Sequence, residues 1–100
     1  LPSDYLAKGW GQGSGLPKGK YCLMTAAMKS FLSGPNEVDG YDDFMDALRE
    51  YLGVVSETVW NDTVGRTQAE VVAVARLIEV KLGYRSASFG AHYEASPAQR

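Results

Sequence analysis

One cysteine, one histidine and no long apolar run are present, and each shortage closes off a class of function. A lone thiol, Cys22, forms no intramolecular disulfide, as expected of a cytoplasmic protein. Together with the single His92 it is too little for a metal centre of nitrogen and sulfur ligands, so no metal and no cofactor is expected. The longest aliphatic stretch, Val71 to Ala75, is far short of the roughly 20 residues that span a bilayer. No signal peptide is visible, and no membrane association is expected. The first residue is Leu1 rather than Met, as expected of a processed chain. Basic charge is also thin. Ten Lys and Arg are scattered among twelve Asp and Glu, the net charge is −2, and no three basic residues adjoin. A clustered basic face is what phosphate backbones require, so nucleic acid is not an expected partner.

What remains is the composition of an ordinary globular domain, and 100 residues suffice for one core. Residues 1–8 allow a short helix, capped by Ser3 or Asp4, facing the core with Tyr5 and Leu6, and stopped by Gly9. Residues 9–20 carry five glycines and cannot be a helix interior. They do not make a phosphate loop either. The window ending in Gly19-Lys20 opens with Ser14 and runs on to Tyr21, where Gly and then Ser or Thr are needed. A structural loop anchored by Trp10 is the favoured reading.

Residues 20–33 place Tyr21, Met24, Met28, Phe31 and Leu32 on one helical stripe, with Cys22 off it as a small packing residue and Ser33-Gly34-Pro35 as the stop. Residues 40–52 place Tyr41, Phe44, Met45, Leu48 and Leu52 on another, opposite a solvated acidic face, with Asp39 as cap and Gly53 as stop. Residues 54–66 are rich in β-branched side chains and suit an extended or single-turn segment. Residues 68–82 form the longest helix, opened by a Thr67–Glu70 capping box. It has two apolar stripes: Val71, Val74, Ala75, Ile78 and Leu82, and on the other side Ala69, Ala73, Leu77 and Val80. A helix apolar on two sides is either central to a core or shared with a partner. Residues 84–100 show no periodicity and read as a tail, which Phe89, His92 and Tyr93 could pin in part. The expected fold is all-α: a bundle of three main helices plus a short N-terminal helix, over residues 1–83, with a Gly-rich loop and a flexible tail over 84–100.

Three segments stand out: Gly9-Trp10-Gly11-Gln12-Gly13; Tyr21-Cys22-Leu23-Met24-Thr25-Ala26-Ala27; and Trp60-Asn61-Asp62 followed by Gly65-Arg66-Thr67 and Glu70-Val71. Together they resemble a family of small, functionally uncharacterised proteins (a domain of unknown function) encoded in actinobacterial genomes and their phages. The resemblance covers roughly residues 4–82, with no signature in 33–55. It implies a small helical fold in an actinobacterial or phage setting. It supplies no catalytic residue. Its signature positions here are Trp10, Gln12, Cys22, Trp60, Asn61, Asp62, Gly65, Arg66 and Thr67.

The Trp60–Thr67 segment has two readings. In the first, favoured, it is structural: Trp60 is a buried anchor, Asn61 and Asp62 bond loop amides, Gly65 takes a positive φ, Arg66 pairs with Asp62 and Thr67 caps a helix. In the second, Asn61, Asp62 and Arg66 recognise a ligand, with Trp10 and Gln12 completing the binding set. The functional expectation is a non-enzymatic protein-interaction module, a phage or prophage accessory protein that binds a host protein or itself as a homodimer in the host cytoplasm. Its expected interaction face is Ala69, Ala73, Leu77 and Val80. The alternative is a small-ligand-binding or enzymatic domain on the Gly-rich loop, which requires Gln12, Asn61, Asp62 and Arg66 around one open cleft. DNA binding through a helix pair is least favoured.

Overall fold

The computed structural model describes residues 1–32 and 38–86. Those residues form helices α1 (Pro2–Lys8), α2 (Leu23–Phe31), α3 (Val38–Leu52), α4 (Glu57–Asn61) and α5 (Gln68–Lys81), with no strand among them. The all-α expectation holds, and the β-branched connector contains one short helix. α2 packs against α1, α3 and α4, while α5 closes over α1 and α3. Leu6, Leu23, Phe31, Phe44, Leu48, Val71 and Ile78 meet in the shared core. No helix among the described residues is long and apolar enough to cross a membrane.

Helix ends follow local chemistry. Pro2 opens α1, a position where its missing N–H costs nothing, so Ser3 and Asp4 lie inside the first turn rather than at the cap. α3 begins at Val38, which moves Asp39 from the expected cap into the first turn. Gly53 and Gly83 end α3 and α5 with φ of 67° and 85°. In both, the next residue's N–H reaches back to the carbonyl five positions earlier: Val54 to Arg49 at 3.1 Å and Tyr84 to Glu79 at 2.8 Å. That closure needs a left-handed residue, which glycine adopts without strain. At the start of α5, Thr67 Oγ1 accepts from the Glu70 N–H while Glu70 Oε1 accepts from the Thr67 N–H, the capping box expected there.

The expected stripe on α2 is split: Phe31 is core as expected and Tyr21 is half-buried, but its other members turn outward. Met24, Met28 and Leu32 are 37%, 42% and 38% exposed, while Leu23, Ala26, Ala27 and Phe31 are buried. α2 sits among three other helices, and its two alanines let their backbones approach; methionines at those positions would hold the neighbours apart. Phe31 continues the packing, with its ring centroid 5.8 Å from that of Phe44 and 5.4 Å from that of Tyr84.

Tyr84 also shows that the packed body passes the boundary expected at Gly83. Beyond it, Arg85 reaches a carboxylate with no exposed surface, that of Glu79. Glu79 accepts from the Ser3 N–H at 2.8 Å, from Ser3 Oγ at 2.7 Å and from Arg85 Nε. Arg85 Nη2 further donates to Ser3 Oγ at 3.1 Å and pairs with Asp4 at 2.8 Å. This pin ties α1, α5 and the chain after it. Burial pushes the Asp4 carboxyl up, but hydrogen bonds from the terminal amine and Arg85 outweigh it and hold the group below its ordinary value. The Ser33-Gly34-Pro35 stop and the contacts expected of Phe89, His92 and Tyr93 lie outside the described residues.

Candidate functional site

The Gly-rich segment is closed at its neck by backbone. The Tyr21 N–H donates to the Gly9 carbonyl at 2.8 Å and the Gly11 N–H to the Tyr21 carbonyl at 3.0 Å, forming an isolated parallel bridge. A Cβ on Gly9 would lie 2.1 Å from the Gly19 carbonyl oxygen, so this close approach requires glycine.

The far side of the segment is fastened to α4 by the signature residues. Asn61 has no exposed surface. Its Oδ1 accepts from Trp10 Nε1 at 2.9 Å and from the Leu23 N–H at 3.2 Å. Its Nδ2 donates to the Gly11 carbonyl at 3.1 Å and to Asp62 Oδ1 at 2.9 Å. Two acceptor sites and two donors fill the amide's capacity. Because Leu23 is the first residue of α2, Asn61 accepts an N–H that α2 itself leaves without an intrahelical partner, and does so from a different helix. Gln12 Nε2 donates to the carbonyls of Asn61 and Thr63 at 3.1 and 2.9 Å, and the Gly13 N–H donates to Asp62 Oδ1 at 2.9 Å. Trp10, Gln12, Asn61 and Asp62 thus form a latch between loop and helix.

Arg66 turns away from that latch. Its Nε donates to the Trp60 carbonyl at 3.0 Å, its guanidinium lies 3.7 Å from the Trp60 ring centroid, and Glu70 is its ion partner at 3.9 Å. It does not pair with Asp62, because the turn at Gly65 (φ 88°) carries it over the indole. Trp60 is half-buried beneath it rather than enclosed. The four residues required around one open cleft are therefore not gathered: Gln12 and Asn61 are directed into the latch and Arg66 lies on Trp60.

A cleft of about 540 Å³ does open beneath the Gly-rich segment, and of the expected binding residues only Asp62 lines it. Its other walls are Gly13 to Leu16, Lys20, Cys22, Met24, Thr25 and Thr58. Behind it, Glu57 is buried and bonded to Arg49 Nε at 2.8 Å. Burial, and then the Glu57 carboxylate, push the Tyr41 phenol above its ordinary value. Thr25 is shared with a second, shallower groove of about 430 Å³ along the outer side of α2, lined by Tyr21, Met28, Lys29 and Leu32. The face expected on α5 is less open: Ala69 is exposed, but Ala73, Leu77 and Val80 are half-buried. Among the described residues no three His, Cys, Asp or Glu side chains gather as a metal site.

The profile of DUF6197, a family of unknown function, matches residues 3–78. The chain belongs to this family. No curated protein and no solved structure matches it. The family match spans both halves of the latch and stops one residue before the buried Glu79. Periodicity alone puts Met24, Met28 and Leu32 on the stripe with the core residue Phe31, yet they face outward. The available signal was size: α2 is apolar on both sides, and the side with Ala26 and Ala27 suits the tighter packing.

Proposed function

We propose that this DUF6197 chain is a non-enzymatic protein-interaction module whose docking surface is the outer side of α2. One observation carries the reading: Met24 and Met28 on α2 and Leu32 at its C-cap, three large apolar side chains at four-residue spacing, stand exposed along a helix whose other side is core. Such a stripe gains from being covered, and methionines adapt to varied partner shapes. The polar signature residues support the same reading, since their hydrogen bonds hold the loop and α2 in place. In the actinobacterial or phage setting that the signature implies, the partner is a host protein. The test is affinity capture from an actinobacterial lysate with the wild-type chain and a Met24→Asp/Met28→Asp variant, both checked for helix content. The reading requires a protein recovered by the first and not by the second; equal recovery by both, or none by the wild type, refutes it.

A second reading is favoured by the cleft under the Gly-rich segment, whose volume is in the range of small-ligand pockets. There Lys20 and Asp62 offer opposite charges to a zwitterionic molecule. A thermal-shift screen of amino acids and short peptides tests it, with Asp62→Asn expected to abolish any stabilisation.

A further inference from the structure

The outer side of α2 also says what kind of partner would cover it, an inference that rests on the docking surface proposed above. Six residues make up that side: Tyr21, Met24, Thr25, Met28, Lys29 and Leu32. A stable homodimer buries about 800 Å² per partner from some 20–30 residues, which one nine-residue helix does not supply. Its length is right for another helix. Apolar anchors over residues 24–32 span about two turns, and shallow clefts lie to either side of the ridge.

Charge narrows the choice further. The protein as a whole is acidic, yet α2 carries no acidic residue. Lys29 lies in the outer groove and Lys20 on the wall of the larger cleft. Lys8 sits 5.9 Å from the Tyr5 ring centroid, and Tyr5 in turn packs at 5.1 Å on Tyr21. Asp62 is the acid that lines the larger cleft, and its Oδ1 already accepts from the Gly13 N–H and Asn61 Nδ2. We infer that the occupant is a short amphipathic helix of another protein, laid along α2 with apolar anchors against Met24 and Met28 and acidic residues against Lys20 and Lys29.

The three methionines supply the assay. Met24 and Met28 lie on the proposed surface and Met45, 1% exposed in the core, is an internal control. The full chain labelled at its methionine methyl groups is titrated with two synthetic amphipathic helices of about 15 residues. Both carry leucine at helical spacing, one with glutamate flanks and one with lysine flanks. The Glu-flanked helix is expected to shift the Met24 and Met28 methyls but not Met45, and to bind about tenfold more tightly than its Lys-flanked counterpart. A Lys20→Glu/Lys29→Glu variant is expected to reverse that order; both side chains are exposed, so the fold survives the change. Equal binding of the two peptides overturns the acidic helix and leaves the docking surface standing. Methyl shifts that follow the protein's own concentration make the occupant a second copy. Tighter binding to phosphatidylglycerol vesicles than to either peptide makes it a lipid surface. Binding of neither peptide also overturns the inference, while the capture experiment judges the docking surface on its own.

Discussion

Two separate devices hold the ends of the bundle together, and they use opposite chemistry. At one end the latch fastens the Gly-rich segment to α4 through the neutral amide of Asn61, which is fully hydrogen-bonded. At the other the pin fastens α1 to α5 through a buried carboxylate, Glu79, held by Ser3 and Arg85. A neutral amide loses little on burial once its bonds are made. A carboxylate loses much more and depends on every partner. The pin is therefore the more fragile of the two, although it too joins remote parts of the chain.

The largest expected effect follows from this. Glu79→Ala removes the acceptor of the Ser3 N–H, of Ser3 Oγ and of Arg85 Nε, leaving Arg85 to Asp4 and Ser3, and should cost about 3–5 kcal/mol in urea unfolding; a loss below about 1 kcal/mol would remove the distinction between the two devices. Asn61→Ala should cost about 2–4 kcal/mol, because the part-buried Trp10 Nε1 and the buried Leu23 N–H lose their acceptor. It should also quench or shift Trp10 fluorescence, a signal that Glu79→Ala leaves unchanged. Arg66→Ala, beside the latch but not in it, should cost about 1 kcal/mol for the lost stacking on Trp60.

Acid separates the two ends further. Because the folded Asp4 carboxyl lies below its ordinary value of 3.8, its contribution is present above that value and is lost as pH falls through the lowered one. Urea midpoints followed down from about pH 5 should thus fall less steeply for Asp4→Asn than for wild type. Met28→Gln touches neither device and should change stability by no more than about 0.5 kcal/mol; a larger loss would mean that the outer side of α2 is part of the core after all.

The helices were legible wherever the signal is local. The Thr67–Glu70 capping box, the glycine stops after α3 and α5, and the single stripe of Phe44, Met45 and Leu48 depend on neighbours within a turn or two. The orientation of α2 was not, because both its sides are apolar and only the surrounding helices decide which packs. Glu79 was unreadable for a related reason. Its partners Ser3 and Arg85 lie at distant or unpatterned places, and a glutamate on an amphipathic helix ordinarily faces water. In the candidate site, Asn61 and Gln12 could be picked out as unusual, but whether they face a ligand or a turn depends on the chain folding back over sequence separations of 49 to 51. Arg66 shows the same limit at short range, since one left-handed glycine redirects it from Asp62 to an indole face.

The meeting of Gly9 with the Gly19 carbonyl makes the intervening stretch a ring sealed backbone to backbone. Length can then vary at its tip, around Ser14, without disturbing the seal. An added residue or a side chain at the seam would force the two limbs apart and pull Trp10 from its seat. Relatives of this protein should accordingly tolerate insertions at the apex and none at the collar.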